Sequence, residues 1–136
     1  MIESSLAQQT YGASVQPTAN EKNVEYKAFA FVTQALSALD KSAIDYFVKK
    51  QEALFNNLQL WRILAVEVAD EKNPLPADLR ANLFYLSEFT RQYTAKIHAG
   101  ERDDPGVLID INKSVMRGLR AQAGLQEAAH QNGAAS

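Results

Sequence analysis

The chain contains no cysteine among its 136 residues, and this absence excludes several kinds of site. A chain without thiols has no disulfide, no zinc site built on thiolates and no thiol nucleophile. At this length a protein typically buries about two thirds of its unfolded surface, so a single hydrophobic core suffices without covalent cross-links. The lack of cysteine also suits the reducing cytoplasm, where we expect the protein to act.

Two more features are missing, namely a long apolar run and an excess of basic residues. No stretch approaches the roughly 18 apolar residues of a membrane span, and the N-terminal stretch MIESSLAQQTYGASVQ lacks the positive start and apolar segment of a signal peptide. Lysine and arginine total 14 against 16 aspartates and glutamates, which gives a net charge of −2. Dedicated nucleic-acid-binding proteins usually carry a basic excess, so the composition favours neither a membrane nor a nucleic acid as partner.

Proline and glycine are scarce, and they divide the chain into segments in which apolar residues recur every three or four positions. This periodicity, without the alternation typical of strands, predicts an all-α fold. We expect a small four-helix bundle with a long central second helix and flexible termini. The predicted parts are a flexible N-terminal arm over residues 1–20, a single helical domain over residues 21–121 and a disordered or frayed tail over residues 122–136.

Capping residues and helix breakers predict where the helices begin and end. Aspartate or serine before an apolar pattern favours a helix start, proline fits the first turn, and glycine favours an end. On these signals the four helices begin near Glu21, at Asp40 or Ser42, near Pro76 and at Asp104, and the second and third end near Asp70 and Gly100.

One face of each predicted helix is apolar and should form the core. Trp61 lies where the second helix is apolar on every side, so we expect it at the centre of the bundle. Earlier in that helix the predicted core side holds Ile44, Phe47, Val48, Leu54, Phe55 and Leu58, and the predicted solvent side holds Asp45, Lys49, Glu52, Asn56 and Asn57. The predicted core face of the first helix is Val24, Ala28, Phe31, Ala35 and Leu39. That of the third helix is Leu79, Leu83, Leu86, Tyr93 and Ile97, and that of the fourth is Leu108, Ile111, Val115 and Leu119.

Three residues interrupt these apolar patterns. Asn112 stands inside the fourth apolar face, where an unpaired amide costs roughly 1 to 3 kcal/mol, so we predict that it hydrogen-bonds another helix or its loop. Arg62 lies in the apolar part of the second helix and needs a carboxylate or helix-end carbonyls as partners. Gly118 indicates a close helix contact or an approaching helix end.

The histidines offer little for catalysis. His98 lies near Glu101, Asp103 and Asp104, which can be interpreted as a metal or acid–base cluster or as the solvated charges of a turn. The second interpretation is favoured, because no further ligand pair stands at helical spacing and His130 falls in the predicted tail. The sequence has no phosphate-binding glycine loop and no nucleophile elbow. We therefore predict a protein that is not an enzyme, with no catalytic residue, cofactor or metal.

A set of short motifs, taken in order, resembles the FlaF family of flagellar biosynthesis regulators from alphaproteobacteria. The motifs are Tyr11, Pro17-Thr18, Glu25-Tyr26, Leu60-Trp61, the stretch NPLPADLRANLFYLSEFT and the ending LIDINKSVMRGLR, and they cover roughly residues 11–121. The resemblance implies a small cytoplasmic protein needed for flagellin production and export. It implies flagellin as the partner, bound as by a secretion chaperone, with a second regulator, FlbT, working in opposition. It supplies no catalytic residues.

Three apolar residues exceed what a one-faced third helix can bury. Phe84 and Tyr85 lie about 140° and about 120° from the centre of its apolar face, on opposite sides, and Leu75 stands between two prolines. They either meet the first helix or the N-terminal arm, or they form an exposed patch for a partner. In the second case Leu75, Phe84, Tyr85 and Tyr11 are the predicted flagellin-binding residues, and a groove that accepts an amphipathic helix would suit flagellin's terminal segments.

The fourth helix carries a basic ridge, defined as Lys113, Arg117 and Arg120, which fall within about 60° of one another. These cations either are solvated near the helix C-terminus, where the dipole favours them, or bind messenger RNA. The first interpretation is favoured, because binding to single strands usually needs exposed aromatics beside the charges and the helix pattern places none there. An RNA-directed regulator of flagellin expression is therefore the alternative function.

Overall fold

The structure is a computed structural model that describes the backbone of residues 19–135 and the side chains of residues 26–122. Four helices occupy this part of the chain, namely α1 (Ala19–Ser37), α2 (Tyr46–Ala69), α3 (Ala77–His98) and α4 (Gly106–Ala135). No strand occurs in residues 19–135, and the predicted all-α bundle is confirmed. The predicted arm over residues 1–20 lies outside the described residues, except that Ala19 and Asn20 belong to α1.

The helices run alternately up and down. The loop between α1 and α2 meets the loop between α3 and α4, because Lys41 Nζ of the first lies 2.8 Å from Asp103 Oδ2 of the second. The loop between α2 and α3 therefore lies at the other end, as antiparallel neighbours with short connections require. Extensive packing joins α2 to α3, α1 to α4 and α1 to α2.

The predicted cap of α2 is displaced. Ser42 donates two hydrogen bonds to Asp40 Oδ1, from its amide at 3.0 Å and from its hydroxyl at 2.7 Å, and these bonds close a turn that precedes the helix. The helix itself starts at Tyr46, after Asp45. Aspartate and serine favour turns as readily as helix caps, so the start of α2 predicted from these residues was too early.

The ends of α3 and the start of α4 follow the prediction closely. Pro76 is the residue that precedes the first turn of α3, and Gly100 has a φ of 80°, the left-handed conformation that ends many helices. Asp104 Oδ1 accepts a hydrogen bond of 2.8 Å from the Gly106 amide and so caps α4.

The end of α4 differs from the prediction of a frayed tail after residue 121. The helix continues to Ala135, since alanine, glutamine and glutamate are good helix formers and need no apolar face to extend an established helix. Gly118 consequently lies inside the helix, and a Cβ built on it would meet no atom within 4 Å. Neither a close helix contact nor a helix end explains this glycine.

The core consists of two apolar clusters along the bundle. The larger surrounds Trp61, whose side chain is fully buried as predicted and meets Phe29 edge to face with ring centroids 5.4 Å apart. The smaller lies toward the end with the Lys41–Asp103 pair and contains Leu36, Ala53, Leu54, Ile97 and Leu108. Of the predicted faces, Leu83, Ile97, Leu108, Val115 and Leu119 are buried, whereas Leu79, Leu86, Tyr93 and Ile111 are half-buried.

A chain of polar side chains crosses the buried interior. The Trp61 indole N–H donates to Asn112 Oδ1 at 2.9 Å, and Asn112 Nδ2 donates to Asn57 Oδ1 at 2.7 Å. The indole can only donate, so it fixes which way the Asn112 amide points and thereby the direction of the second bond. The prediction that Asn112 bonds another helix is confirmed.

The core faces of α1 and early α2 are rotated from the predicted ones. Ala28 is buried as predicted and Ala35 and Leu39 are half-buried, but Phe31 is exposed, and α1 also buries Phe29, Val32, Thr33 and Leu36. Of the predicted core residues on and just before α2, Leu54 is buried and Leu58 is half-buried, whereas Ile44, Phe47, Val48 and Phe55 are exposed. The predicted solvent-side residues Asn56 and Asn57 are buried. Because Asn57 takes part in the buried network, α2 turns its asparagines inward and its phenylalanines outward.

Arg62 is another wrong prediction, since its side chain is exposed and not in the apolar face. The helix-end carbonyls expected to bind it are bound by other residues. Arg80 Nε donates to the Val68 carbonyl at 3.0 Å, and Asn73 Nδ2 donates to the Glu67 carbonyl at 3.2 Å. These two residues close the C-terminus of α2.

Candidate partner-binding surfaces

A cleft with a largely apolar lining lies between α1 and α2. It has a volume of about 470 Å³. Its apolar lining consists of Phe31, Ala35, Ala38, Leu39, Ala43 and Ala53, most of them small, and we call this lining the floor of the cleft. Phe31, Ala35 and Ala38 share one edge of α1, because they are spaced four and three residues apart.

Large apolar side chains are also exposed along α2, outside the lining of the cleft. Phe47 is 70% exposed and Phe55 is 47% exposed, and Val48 and, just before the helix, Ile44 are exposed as well. Together with Phe31, which lines the cleft, these residues define the α1–α2 apolar surface. Isolated apolar residues are common on protein surfaces, but several large ones on one helix are typical of a site for another protein.

The charges around the cleft are unequal. Asp40, Asp45 and Glu52 line it together with a single cation, Lys49. The neighbouring Lys41 and Lys50 instead approach Asp103 on the α3–α4 loop, at 2.8 Å and 3.4 Å.

Hydrogen bonding keeps two of the carboxylates at this end of the bundle ionised. The bond and the charge of Lys41, with a smaller effect of Lys50, hold the pKa of Asp103 below its usual value. The Ser42 hydroxyl and amide hold the pKa of Asp40 below its usual value in the same way. Asp45 and Glu52 have no ion-pair partner among the described residues.

The patch predicted on α3 is partly present. Phe84 is 47% exposed and Tyr85 is 65% exposed, but their side chains point about 100° apart, as neighbours on a helix do. Phe84 borders a shallow pocket at the α2–α3 edge with Val68 and Arg80. Leu75 is half-buried and packs against the larger core cluster, so it is a poor surface anchor. Tyr11 lies outside the described residues.

The basic ridge is exposed, and it has an aromatic neighbour that the sequence pattern did not indicate. Arg120 Nη2 donates to the Tyr26 hydroxyl at 2.7 Å, and the guanidinium carbon lies 4.8 Å from the centre of the Tyr26 ring. Tyr26 is on α1, so only the packing of α1 on α4 brings it to Lys113 and Arg117. The ridge therefore has one aromatic side chain beside it, the half-buried Tyr26, where the sequence pattern predicted no exposed aromatic.

The acidic turn after α3 has structural partners. Asp103 binds the two lysines, and Asp104 caps α4 and also accepts a hydrogen bond of 3.0 Å through its carbonyl from the Tyr93 hydroxyl. His98 is exposed. Within the described residues, no three histidine, aspartate or glutamate side chains converge as metal ligands would. Over the same part of the chain, no helix has the length and apolar character needed to cross a membrane.

Sequence reasoning missed the cleft because it assigned Phe31, Phe47 and Phe55 to the core. One signal was available, since Asn57 falls on the same helical face as Trp61 and Leu64. Had Asn57 been grouped with Asn112 as a buried pair, the phenylalanines of α2 would have been placed outside.

Comparison with known proteins identifies a family. A sequence model of the family described as "Flagellar protein FlaF" matches residues 7–119, which is most of the chain. No curated protein and no solved structure is significantly similar to the chain.

Proposed function

The chain belongs to the FlaF family of flagellar proteins, and from this premise we propose that it binds flagellin in the cytoplasm, as a secretion chaperone and regulator needed for flagellin synthesis and export. The regulator FlbT is a second proposed partner. The chemistry of the protein is that of a binding module and not of an enzyme.

One observation supports this proposal most, the α1–α2 apolar surface. Phe47 gains little from folding because it remains largely in water, and Phe55 keeps about half of its surface exposed. Aromatic side chains that a partner buries are the usual anchors of protein interfaces, and a few of them carry most of the binding energy. A groove between helices that accepts an amphipathic helix is a recurrent way to hold an unfolded chain.

Co-purification with flagellin tests the proposal with two matched variants. Phe47→Ser/Phe55→Ser removes two exposed aromatics from the α1–α2 apolar surface, and Phe84→Ser/Tyr85→Ser removes two from α3. We expect the first variant to weaken flagellin binding at least about tenfold, since interface anchors each contribute roughly 1 to 2 kcal/mol or more. The second should bind nearly as wild type, and both should keep the wild-type melting temperature because surface substitutions change stability by only about 0.5 kcal/mol.

The opposite result would place the flagellin-binding site on another surface and leave the proposed function intact. If the α3 variant loses flagellin and the α2 variant retains it, the surface is the one on α3 that the sequence predicted. If both folded variants bind flagellin as tightly as wild type, neither surface is the site and the flagellin proposal loses its structural support.

The basic ridge with Tyr26 supports a second candidate function, RNA-directed regulation of flagellin expression. A ring beside cations is the combination that binds single strands, by stacking on bases and neutralising phosphates. Reversing Lys113, Arg117 and Arg120 to Glu should then abolish RNA binding and flatten its salt dependence, while flagellin capture stays unchanged. RNA binding that is equal in wild type and the triple variant at two salt concentrations would exclude this ridge.

A further inference from the structure

We propose that the α1–α2 cleft holds an amphipathic helix of the partner whose flanks carry lysine or arginine, because an alanine floor lies between carboxylates that outnumber the cations. This inference rests on the proposed function, since it names the chemistry of the segment that the α1–α2 apolar surface binds. It adds a requirement that an apolar surface alone does not make, namely positive charge beside the apolar stripe of the bound segment.

The shape of the cleft fits a helix. On α2 its lining runs from Tyr46 to Asn56, which at about 1.5 Å per residue is roughly 15 Å, or nearly three helical turns. A bound helix would therefore present residues spaced by three, four and seven positions. Ala35, Ala38 and Ala53 are small enough for another helix to approach closely, and Phe31 can contact its side.

The charges at the rim of the cleft determine which side chains should flank the apolar stripe of a bound helix. Asp40, Asp45 and Glu52 line the cleft, and Lys49 is the one cation among its lining residues. Lys41 and Lys50, which could have neutralised these carboxylates, are held by Asp103. The rim therefore presents excess negative charge beside an apolar floor, which attracts basic side chains and repels acidic ones.

The same charges argue against other occupants. A second copy of this chain that presented the same face would bring a second patch of the same net negative charge against Asp45 and Glu52, because a two-fold interface uses the same patch on both subunits. A nucleic acid would bring phosphates against the same carboxylates. A basic amphipathic helix can cover the apolar floor of the cleft with its apolar face and place its cations beside the carboxylates of the rim.

Two synthetic peptides of about 18 residues test the inference, because a helix of this length has enough turns to fill the cleft. They share one leucine stripe, and one has lysine flanks whereas the other has glutamate flanks. Binding is measured by fluorescence anisotropy at low and high salt. The variant Asp45→Asn/Glu52→Gln removes two rim charges, and Glu71→Gln/Asp110→Asn removes two exposed charges that do not line the cleft.

The wild type should prefer the lysine-flanked peptide, and the rim variant should bind it about threefold to tenfold more weakly at low salt. The difference should shrink at high salt, as screened surface charges do. The control variant should bind as wild type, and Lys49→Glu should bind the lysine-flanked peptide more tightly.

Equal binding of the two peptides, or a rim variant that keeps the preference, would overturn the inference and leave flagellin binding through the apolar surface intact. Failure of both peptides to bind, while flagellin is still captured, would also overturn it. Selective binding of the lysine-flanked peptide without flagellin capture would support the cleft's specificity and contradict the proposed function instead.

Discussion

The two halves of α2 differ in which kinds of side chain they bury and expose. In the second half, Leu60, Trp61, Leu64 and Val68 are buried, as an amphipathic helix would have them. In the first half, Phe47 and Phe55 are exposed and the polar Asn56 and Asn57 are buried. One helix thus provides both the centre of the core and several large exposed apolar side chains, and this difference separates the residues that stabilise the fold from those available to a partner.

A single inward face runs through both halves. Leu54, Asn57, Trp61, Leu64 and Val68 recur at steps of three and four, so they share one side of the helix. Trp61 and Asn57 are linked through Asn112, which fixes the rotation of α2 about its axis. The phenylalanines of the first half are outside because that rotation leaves them no place within.

The largest expected effect comes from the core half. Trp61→Ala should destabilise the protein by about 3 to 5 kcal/mol, because it removes the largest fully buried side chain and leaves a cavity beside Phe29. Urea unfolding followed by circular dichroism measures the loss, since the variant has no tryptophan for fluorescence.

Phe47→Ala is the matched control for that change. It also removes an aromatic ring from α2, but from a side chain that is mostly in water, so we expect a change within about 0.5 kcal/mol. Equal losses of stability in the two variants would show that the two halves do not differ as described.

The polar network should have an intermediate effect. Asn112→Ala removes the partner of the Trp61 indole and of Asn57 Oδ1, and leaving buried polar groups unpaired costs roughly 1 to 3 kcal/mol. Trp61→Phe removes the indole donor together with part of the ring, so its own effect also includes the cost of a cavity, which a double-mutant cycle subtracts.

Because both substitutions break the same bond, their effects should not add. A double-mutant cycle on urea unfolding should give a coupling energy of about 1 kcal/mol, within the range for side chains in one network. Strict additivity would mean that the bond between Trp61 and Asn112 contributes nothing to stability, and that packing alone sets the rotation of α2.

Much of the fold follows from sequence because its signals are local. Gly100 and Asp104 end one helix and begin the next as their chemistry dictates, and Trp61 lies where the apolar density is greatest. The inward position of Asn112 was also predictable, since it interrupts an apolar face and a buried amide requires a partner.

The candidate site was not predictable in the same way, because its position depends on contacts distant in sequence. Asn57 meets Asn112, which is 55 residues away, and Arg120 meets Tyr26, which is 94 residues away. Hydrophobic periodicity places phenylalanine inside and asparagine outside, and only the partner of Asn57 reverses that choice. Sites built for partners are where local rules are expected to fail.

The smallest expected effect concerns the charges that hold the first half of α2 to the α3–α4 loop. Lys41 and Lys50 lower the pKa of Asp103 from its ordinary value of 3.8, so the ionised carboxylate stabilises the folded state at neutral pH and loses that effect as the pH falls through the lowered pKa. The same pair raises the pKa of Lys41 above its ordinary value of 10.5, so the contribution of Lys41 to stability disappears only as the pH rises past that value.

Asp103→Asn should therefore lower the urea midpoint slightly at pH 7. The difference in midpoint between wild type and variant should become smaller below the ordinary pKa of the carboxyl. Glu71→Gln, which removes an exposed charge without an ion-pair partner among the described residues, should show no such narrowing. A gap between wild type and Asp103→Asn that stays constant down to pH 2 would show that the charge of Asp103 does not stabilise this end of the bundle, and that the first half of α2 is held by the Leu36 and Leu54 cluster alone.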